Sequence, residues 1–315
     1  METLLQTVDL KKHFNVNGGL LHAVDGVNLG IKKGQTLGVV GESGCGKSTL
    51  GLVVLRLLEA TSGSVLFEGE DIMAADKARM SQIRQQMQII FQDPFSSLSP
   101  RLSVFELISE PLIMNDICRN KSELADRVLK LMDTVGLSER FFHSYPHEID
   151  GGRRQRIGVA RALALTPKFI VCDEPVSALD VSIQAQILNL LMDLQDSMGL
   201  TYLFITHDLS VVKHISNEIA VMYLGQCIER APSLELFKNP LHPYTKALLS
   251  AIPVPKLRAA KDRNLIRGEV SDPINPKPGC RFAPRCEAAA ASCSEADFPL
   301  KTQGADHYVA CRLYP

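Results

Sequence analysis

The chain has 315 residues, 45% of them hydrophobic and 22% charged, with 34 basic against 35 acidic side chains and a formal net charge of −1. That length and apolar content supply one large domain plus a smaller one, and the balanced charge leaves no electrostatic footprint for nucleic acid, so no nucleic-acid partner is expected. The opening METLLQTVDL lacks a basic-then-apolar signal pattern, and the longest apolar run, Leu50 to Leu58, is short and broken by Arg56. The chain is therefore expected to stay in the cytoplasm and to reach a membrane only through a partner.

In chain order, the run Thr36 to Val40 reads as a strand and Leu50 to Leu58 as a helix, and between them lies GESGCGKST, Gly41 to Thr49. This is the pattern G-x-x-x-x-G-K-[ST] in its required strand-to-helix context. Gly41, Gly44 and Gly46 permit the backbone curl whose N–H groups surround phosphates, with Ser43, Cys45 and Thr49 completing the loop. Lys47 is expected to reach the β and γ phosphates and Ser48 to offer its hydroxyl to Mg²⁺. A helix N-terminus beside the loop favours the anion, so the chain reads as a nucleoside triphosphatase.

Further β-rich runs follow at Gln88 to Phe91, Phe169 to Cys172, Thr201 to Thr206 and Glu218 to Tyr223. Their alternation with helical stretches predicts an α/β domain with a largely parallel sheet. From Asp93 to about Pro167 the pattern turns helical, with three- and four-residue apolar steps in Glu123 to Val135 and Arg154 to Leu165, which predicts a helical subdomain over about 93–167. FIVCDE, Phe169 to Glu174, reads as a buried strand ending in two acids. Asp173 would serve the metal and Glu174 would polarise the attacking water. After Arg230, proline-punctuated segments at Pro240 to Pro243, Pro253 to Pro255 and Pro273 to Pro278 suggest a loop-rich extension, so domains are expected at 1–230 and 231–315.

The ordered set resembles the ATP-binding subunits of ABC transporters, which implies a P-loop NTPase core that binds ATP with Mg²⁺ and hydrolyses it. Gln92 in FQDP fits the glutamine loop, which would sense Mg²⁺ and the water and relay to the permease. Ser177, Ala178, Leu179 and Asp180 (SALD) fit the D-loop, and His207 in ITHD fits the switch histidine at the γ phosphate. Phe14, in KKHF, stands where the family places an aromatic that stacks on adenine; a phenylalanine there would equally serve the core.

The family signature LSGGQ is represented by IDGGRRQR, Ile149 to Arg156. The resemblance implies that Asp150, Gly151, Gly152 and Arg153 act on ATP held by a partner subunit. Asp150 replaces a serine and Arg153 a glutamine. Two like charges about 4 Å apart at an effective dielectric near 20 repel by about 4 kcal/mol before solvent and Mg²⁺ reduce it, and Arg153 offsets part of this. Two readings follow: a heterodimer in which this signature makes one weaker ATP site, or an Asp150 that turns aside to cap its helix and leaves both sites working.

The segments LHPYTKALLSAIP (Leu241 to Pro253), GEVSDPINPKPGCRFAPRC (Gly268 to Cys286) and FQDPFSSLSPR (Phe91 to Arg101) resemble those of peptide and nickel importer ATPases, most closely the F-type of oligopeptide and dipeptide systems. The resemblance implies a D-type ATPase partner, two transmembrane permease subunits, an external solute-binding protein and a peripheral place on the cytoplasmic face of the membrane. Its cargo would be di- or oligopeptides, or a related small solute such as nickel or a metallophore. A soluble non-transport ABC ATPase is the alternative, although the chain has neither a second cassette nor a long coiled-coil insertion.

Eight cysteines without an export signal argue for thiols or metal ligands rather than disulfides. Cys45, Cys118, Cys172 and Cys227 are spread through the body as small hydrophobes. Cys280, Cys286, Cys293 and Cys311, separated by five, six and seventeen residues, crowd the tail. Four thiolates suit a 4Fe-4S cluster or one Zn²⁺, with unligated thiols as the remaining alternative. The family resemblance favours the iron–sulfur cluster, in a role that fastens a small extension.

Overall fold

The computed structural model describes residues 2–93, 97–252, 273–304 and 306–314. Of the segments singled out in the sequence, Pro253 to Pro255, Gly268 to Asp272 and the Pro94–Ser96 portion of FQDPFSSLSPR lie outside them. The chain forms two compact units, Met1–Ala74 with Phe204–Pro315, and Ala75–Leu203.

The first unit opens with β1 (Thr3–Val16) and β2 (Gly19–Lys32), paired antiparallel across an Asn-Gly turn in which Gly18 has a φ of 104°. The sequence reading did not anticipate this hairpin. Its strands carry charged and polar residues over Asp9 to His13, and register shifts between Thr7 and His13 interrupt the two-residue alternation by which a strand is recognised. β3 (Thr36–Val40) is wholly buried and coincides with the predicted run. The helix after the loop spans Lys47–Val54, because Lys47, Ser48 and Thr49 are themselves its first turn. β4 (Ser62–Phe67) and β5 (Glu70–Asp71) complete a four-stranded antiparallel sheet in the order β2-β1-β4-β5.

The second unit carries β6 (Met87–Ile90) and β7 (Phe169–Asp173), which run parallel with Ile90 opposite Cys172. Between them lie helices Val104–Met114, Lys121–Thr134 and Gly151–Leu163. The predicted helical segments fall on the last two, offset by a few residues. Ser103 and Glu106 form a reciprocal capping box that fixes the start of the first helix. Val128 and Met132, four residues apart, bury the apolar stripe of the second. Helix Val181–Met198 follows, ended by Gly199 in the left-handed region, and β8 (Thr201–Ile205) carries the chain back to the first unit.

There β9 (Glu218–Tyr223) pairs parallel with β3, and β10 (Gln226–Pro232) pairs antiparallel with β9. β11 (Lys301–Thr302) and β12 (Tyr308–Val309) extend the same edge. Val40, Val221, Tyr223, Leu236, Tyr244 and Phe282 share one core cluster, so residues beyond Arg230 pack against the strands that present the phosphate loop. A fully buried carboxylate also anchors them: Glu229 accepts the backbone N–H groups of Leu241 at 2.7 Å and His242 at 2.9 Å, and lies 2.8 Å from Nε2 of His307. Among the described residues no helix is long and apolar enough to cross a membrane.

Candidate functional site

The phosphate loop leaves β3 at Gly41 and enters helix Lys47–Val54, whose N-cap, Gly46, supplies no side-chain hydrogen bond. A glycine N-cap brings no side chain of its own to the helix start, the arrangement in which a helix N-terminus accepts a phosphate. Gly46 has a φ of 99°, and a Cβ there would fall 1.9 Å from the carbonyl oxygen of Ala23, so only glycine fits. Gly41 is under a similar constraint from the Met222 carbonyl, 2.2 Å from its notional Cβ. Lys47 is 5% exposed, and its ammonium donates to the carbonyl oxygens of Gly41 at 2.9 Å and Glu42 at 3.0 Å. Ser43, Gly44 and Ser48 are exposed, Thr49 is half-buried, and Cys45 is buried, its thiol pushed up by that burial and thus neutral. Glycine backbone, a helix start with a glycine N-cap and a lysine on loop carbonyls form a donor set that fits a polyphosphate.

In the same unit Phe14 is half-buried rather than sealed in the core, with the Lys12 ammonium 4.8 Å from its ring centroid. His207 is exposed just after β8. The next residue, Asp208, caps helix Leu209–Ile215 by accepting the N–H of Ser210 at 2.7 Å, which fixes the turn that carries His207.

In the second unit, β7 delivers Asp173, 9% exposed, and then Glu174. Glu174 has a φ of 46°, a left-handed conformation that costs a non-glycine residue about 1 kcal/mol and is typical of functional turns. The turn is held by Ser177, whose N–H and hydroxyl both donate to the Glu174 carbonyl oxygen, at 3.2 and 3.1 Å. The Glu174 carboxylate accepts from Nε2 of Gln92 at 3.1 Å. The two residues assigned from sequence to the water and its sensing, 82 positions apart, are therefore in direct contact. In the D-loop, Ala178 is exposed, and Leu179 lies against Gly151. Asp180 caps helix Val181–Met198, and hydrogen bonds from the Ser182 hydroxyl and the Ile183 N–H hold its carboxyl below the usual range.

Asp150 is the N-cap of helix Gly151–Leu163. One carboxylate oxygen accepts the N–H of Arg153 at 2.8 Å, and the other is ion-paired with the Arg153 guanidinium. Both oxygens are engaged within the signature itself, the cap geometry anticipated as one of the two readings. Gly152 has a role that the sequence did not disclose: a Cβ there would lie 2.6 Å from Cγ2 of Ile183, so the glycine lets the signature helix pack against the helix after the D-loop.

Cys280, Cys286, Cys293 and Cys311 line one small cavity together with His242, Phe282 and Phe298. Burial pushes the Cys280 thiol up to about 11 and raises those of Cys286 and Cys311, so these thiols stay protonated at neutral pH. Among the described residues the one group of three side chains close enough to share a metal ion is His13, His22 and Asp25, not the cysteines. One Asp25 oxygen there already holds the guanidinium of Arg281, a charge that opposes a cation.

The ABC transporter family profile matches residues 24–177, and that of the oligopeptide/dipeptide transporter C-terminal region matches 228–293. The oligopeptide transport ATP-binding protein AppF of Bacillus subtilis is 49% identical over 99% of this chain and 98% of its own length. The oligopeptide transport ATP-binding protein OppF of Salmonella typhimurium is 48% identical over 98% of this chain and 96% of its own. The dipeptide transport ATP-binding protein DppF of Escherichia coli is 46% identical over 98% and 94%. The dimeric post-hydrolysis structure of the ATP-binding cassette MJ0796 bound to ADP and Pi superposes with a TM-score of 0.67 at 29% identity, covering 73% of this chain and 98% of that one. These relatives correct the iron–sulfur expectation: they are ABC ATPases without such a cluster, and among the described residues the tail cysteines, of which Cys293 is buried and the other three half-buried, do not gather as ligands. The chain belongs to the ABC transporter ATPases, in the α/β P-loop cassette fold, and carries the C-terminal region of the oligopeptide and dipeptide transporters.

Proposed function

We propose that this chain hydrolyses ATP to energise the import of di- and oligopeptides. The contact between Gln92 and Glu174 is the observation that carries the chemistry, and the naming of near-full-length relatives for oligopeptide and dipeptide transport supports the cargo class. ATP supplies the transferable γ-phosphoryl group, and Mg²⁺ would offset its charge. Gly41, Ser43, Gly44, Cys45, Gly46, Lys47, Ser48 and Thr49 would bind the phosphates, and Phe14 the adenine. Ser48, Asp173 and Gln92 would hold the metal. Glu174 would orient and polarise the water, and His207 would contact the γ phosphate.

The working assembly would be a heterodimer with a second, D-type ATPase, two permease subunits and an external solute-binding protein, the chain lying on the cytoplasmic face of the membrane. Residues 1–230 would form the ATP-binding domain and 231–315 the importer-type extension, a division supported by where the two family profiles fall. Asp150, Gly151, Gly152 and Arg153 would act on the partner's ATP and Ser177–Asp180 across the dimer. Because the cap and Arg153 engage the Asp150 carboxylate, the repulsion at that site would be mild, and turnover of the mixed dimer should change less than about fivefold in Asp150→Ser.

Uptake of labelled dipeptides, tripeptides, longer peptides and nickel by cells carrying the intact chain or Glu174→Gln tests the proposal. Peptide accumulation that depends on Glu174 is the expected result. Nickel accumulation alone would shift the cargo to metal or metallophore, and uptake independent of Glu174 for every solute would reject the importer reading.

A further inference from the structure

The phosphate loop carries an anion of its own. Glu42, between Gly41 and Ser43, places a carboxylate in a loop whose other features receive a polyphosphate. Two side chains from beyond Arg230 hold this residue. Arg285 donates to both Glu42 oxygens, Nη1 at 2.7 Å and Nη2 at 3.1 Å, and Nη1 also reaches the Tyr223 hydroxyl at 3.3 Å. The Tyr244 hydroxyl accepts the Glu42 N–H at 2.9 Å. The Arg285 side chain is 7% exposed and that of Glu42 24%, so the two-point pair lies largely out of water, where such pairing is both strong and directional.

The segment that delivers Arg285 is itself rigidly placed. Phe282 packs edge-on against Tyr223 and Tyr244, each with ring centroids 5.3 Å away. Four residues before Arg285, Arg281 donates to the Leu224 carbonyl oxygen and pairs with Asp25. The N–H of the adjoining Gly225 donates to the Cys45 carbonyl oxygen at 2.9 Å, and the Gly225 carbonyl oxygen accepts the N–H of Asp25 at 2.8 Å. One short stretch thus contacts Glu42 directly and Cys45 through Gly225, while the carbonyl of Glu42 accepts the Lys47 ammonium.

We propose that Arg285 is a positioning residue for ATP: by neutralising and fixing the Glu42 carboxylate, it keeps the phosphate loop receptive to the nucleotide's phosphates. Conversely, the loop's affinity for ATP is set partly from the C-terminal extension. The inference rests on the reading of the loop as the ATP site.

The test is titration of the full-length chain with a fluorescent ATP analogue and Mg²⁺ at low and at physiological salt. Arg285→Gln is expected to weaken binding about tenfold, because it removes the ion-pair partner of the Glu42 carboxylate within the phosphate loop, and the effect should shrink as salt rises. Arg285→Lys, which keeps the charge but loses the fork, should stay within about threefold of the parent. The decisive variant is Glu42→Gln with Arg285→Gln, which removes the charge together with its partner and should bind within about threefold of the parent. A double variant as weak as Arg285→Gln, or an Arg285→Gln that binds like the parent, would overturn the proposal. If Arg285→Gln does not fold, the double variant and Arg285→Lys decide it against the parent: binding weakened about tenfold in either would overturn the proposal. Lys47→Ala separates the underlying reading: unchanged nucleotide binding in that variant would mean that the loop is not the ATP site at all.

Discussion

The phosphate loop and the cysteine tail belong to one compact unit, yet they answer differently to the same kind of sequence argument. In the loop, spacing expresses backbone necessity: Gly41 and Gly46 stand where neighbouring carbonyl oxygens leave no room for a Cβ. In the tail, four cysteines suggested a shared metal, whereas they line a small apolar cavity in which burial raises the thiols of Cys280, Cys286 and Cys311. A motif built on conformation leaves fewer alternatives than a cluster of side chains whose types suit both ligation and packing.

This contrast is open to direct tests. Gly46→Ala should be the most damaging change: the clash with Ala23 and the positive φ predict a loss of about 3 kcal/mol or more, together with loss of ATP binding, measured by thermal unfolding and nucleotide titration. Near-parent stability and binding would remove the conformational basis of the loop argument. Gly152→Ala, which meets Ile183, should cost about 2 kcal/mol in denaturant unfolding without touching the loop. Replacing Cys280, Cys286, Cys293 and Cys311 together by alanine should lower stability by about 1 to 2 kcal/mol while ATP turnover per folded complex stays within about twofold. A turnover collapse in a well-folded quadruple variant would restore a functional role to the thiols.

The smallest effect concerns pH. Cys280 titrates in the folded chain at about 11 against an ordinary value of 9.0, so between these limits the unfolded chain has released a proton that the folded chain retains. Stability from this group is therefore level below pH 9 and falls as pH rises toward 11. The melting temperature should drop less steeply over that window in Cys280→Ala than in the parent. Identical slopes would mean that the thiol is not sheltered.

The second unit shows where sequence reading ends. The strand Phe169–Asp173 was legible as an apolar run; its two acids, of a kind common at exposed strand ends, gained meaning only from the glycine-rich loop in the same chain, and helix Lys121–Thr134 was legible from its apolar steps. The left-handed backbone at Glu174 and its contact with Gln92 were not, since neither leaves a trace in residue type. The direction of the Asp150 carboxylate was equally hidden, and it decides how much charge the signature presents. In the first unit, the Arg285 contact with Glu42 spans 243 positions, a separation over which no local pattern carries information. The opening hairpin was missed for the reverse reason: its local pattern was present but was broken by the irregular register around Asp9.

The most direct test of the central claim is the ATP hydrolysis rate of the purified transporter containing Glu174→Gln, measured alongside ATP binding. Removing the carboxylate that meets Gln92 should lower turnover by about 10²- to 10⁴-fold while leaving ATP binding within about threefold of the parent. Hydrolysis at an undiminished rate would contradict the assignment of Glu174 and, with it, the account of how this chain uses ATP.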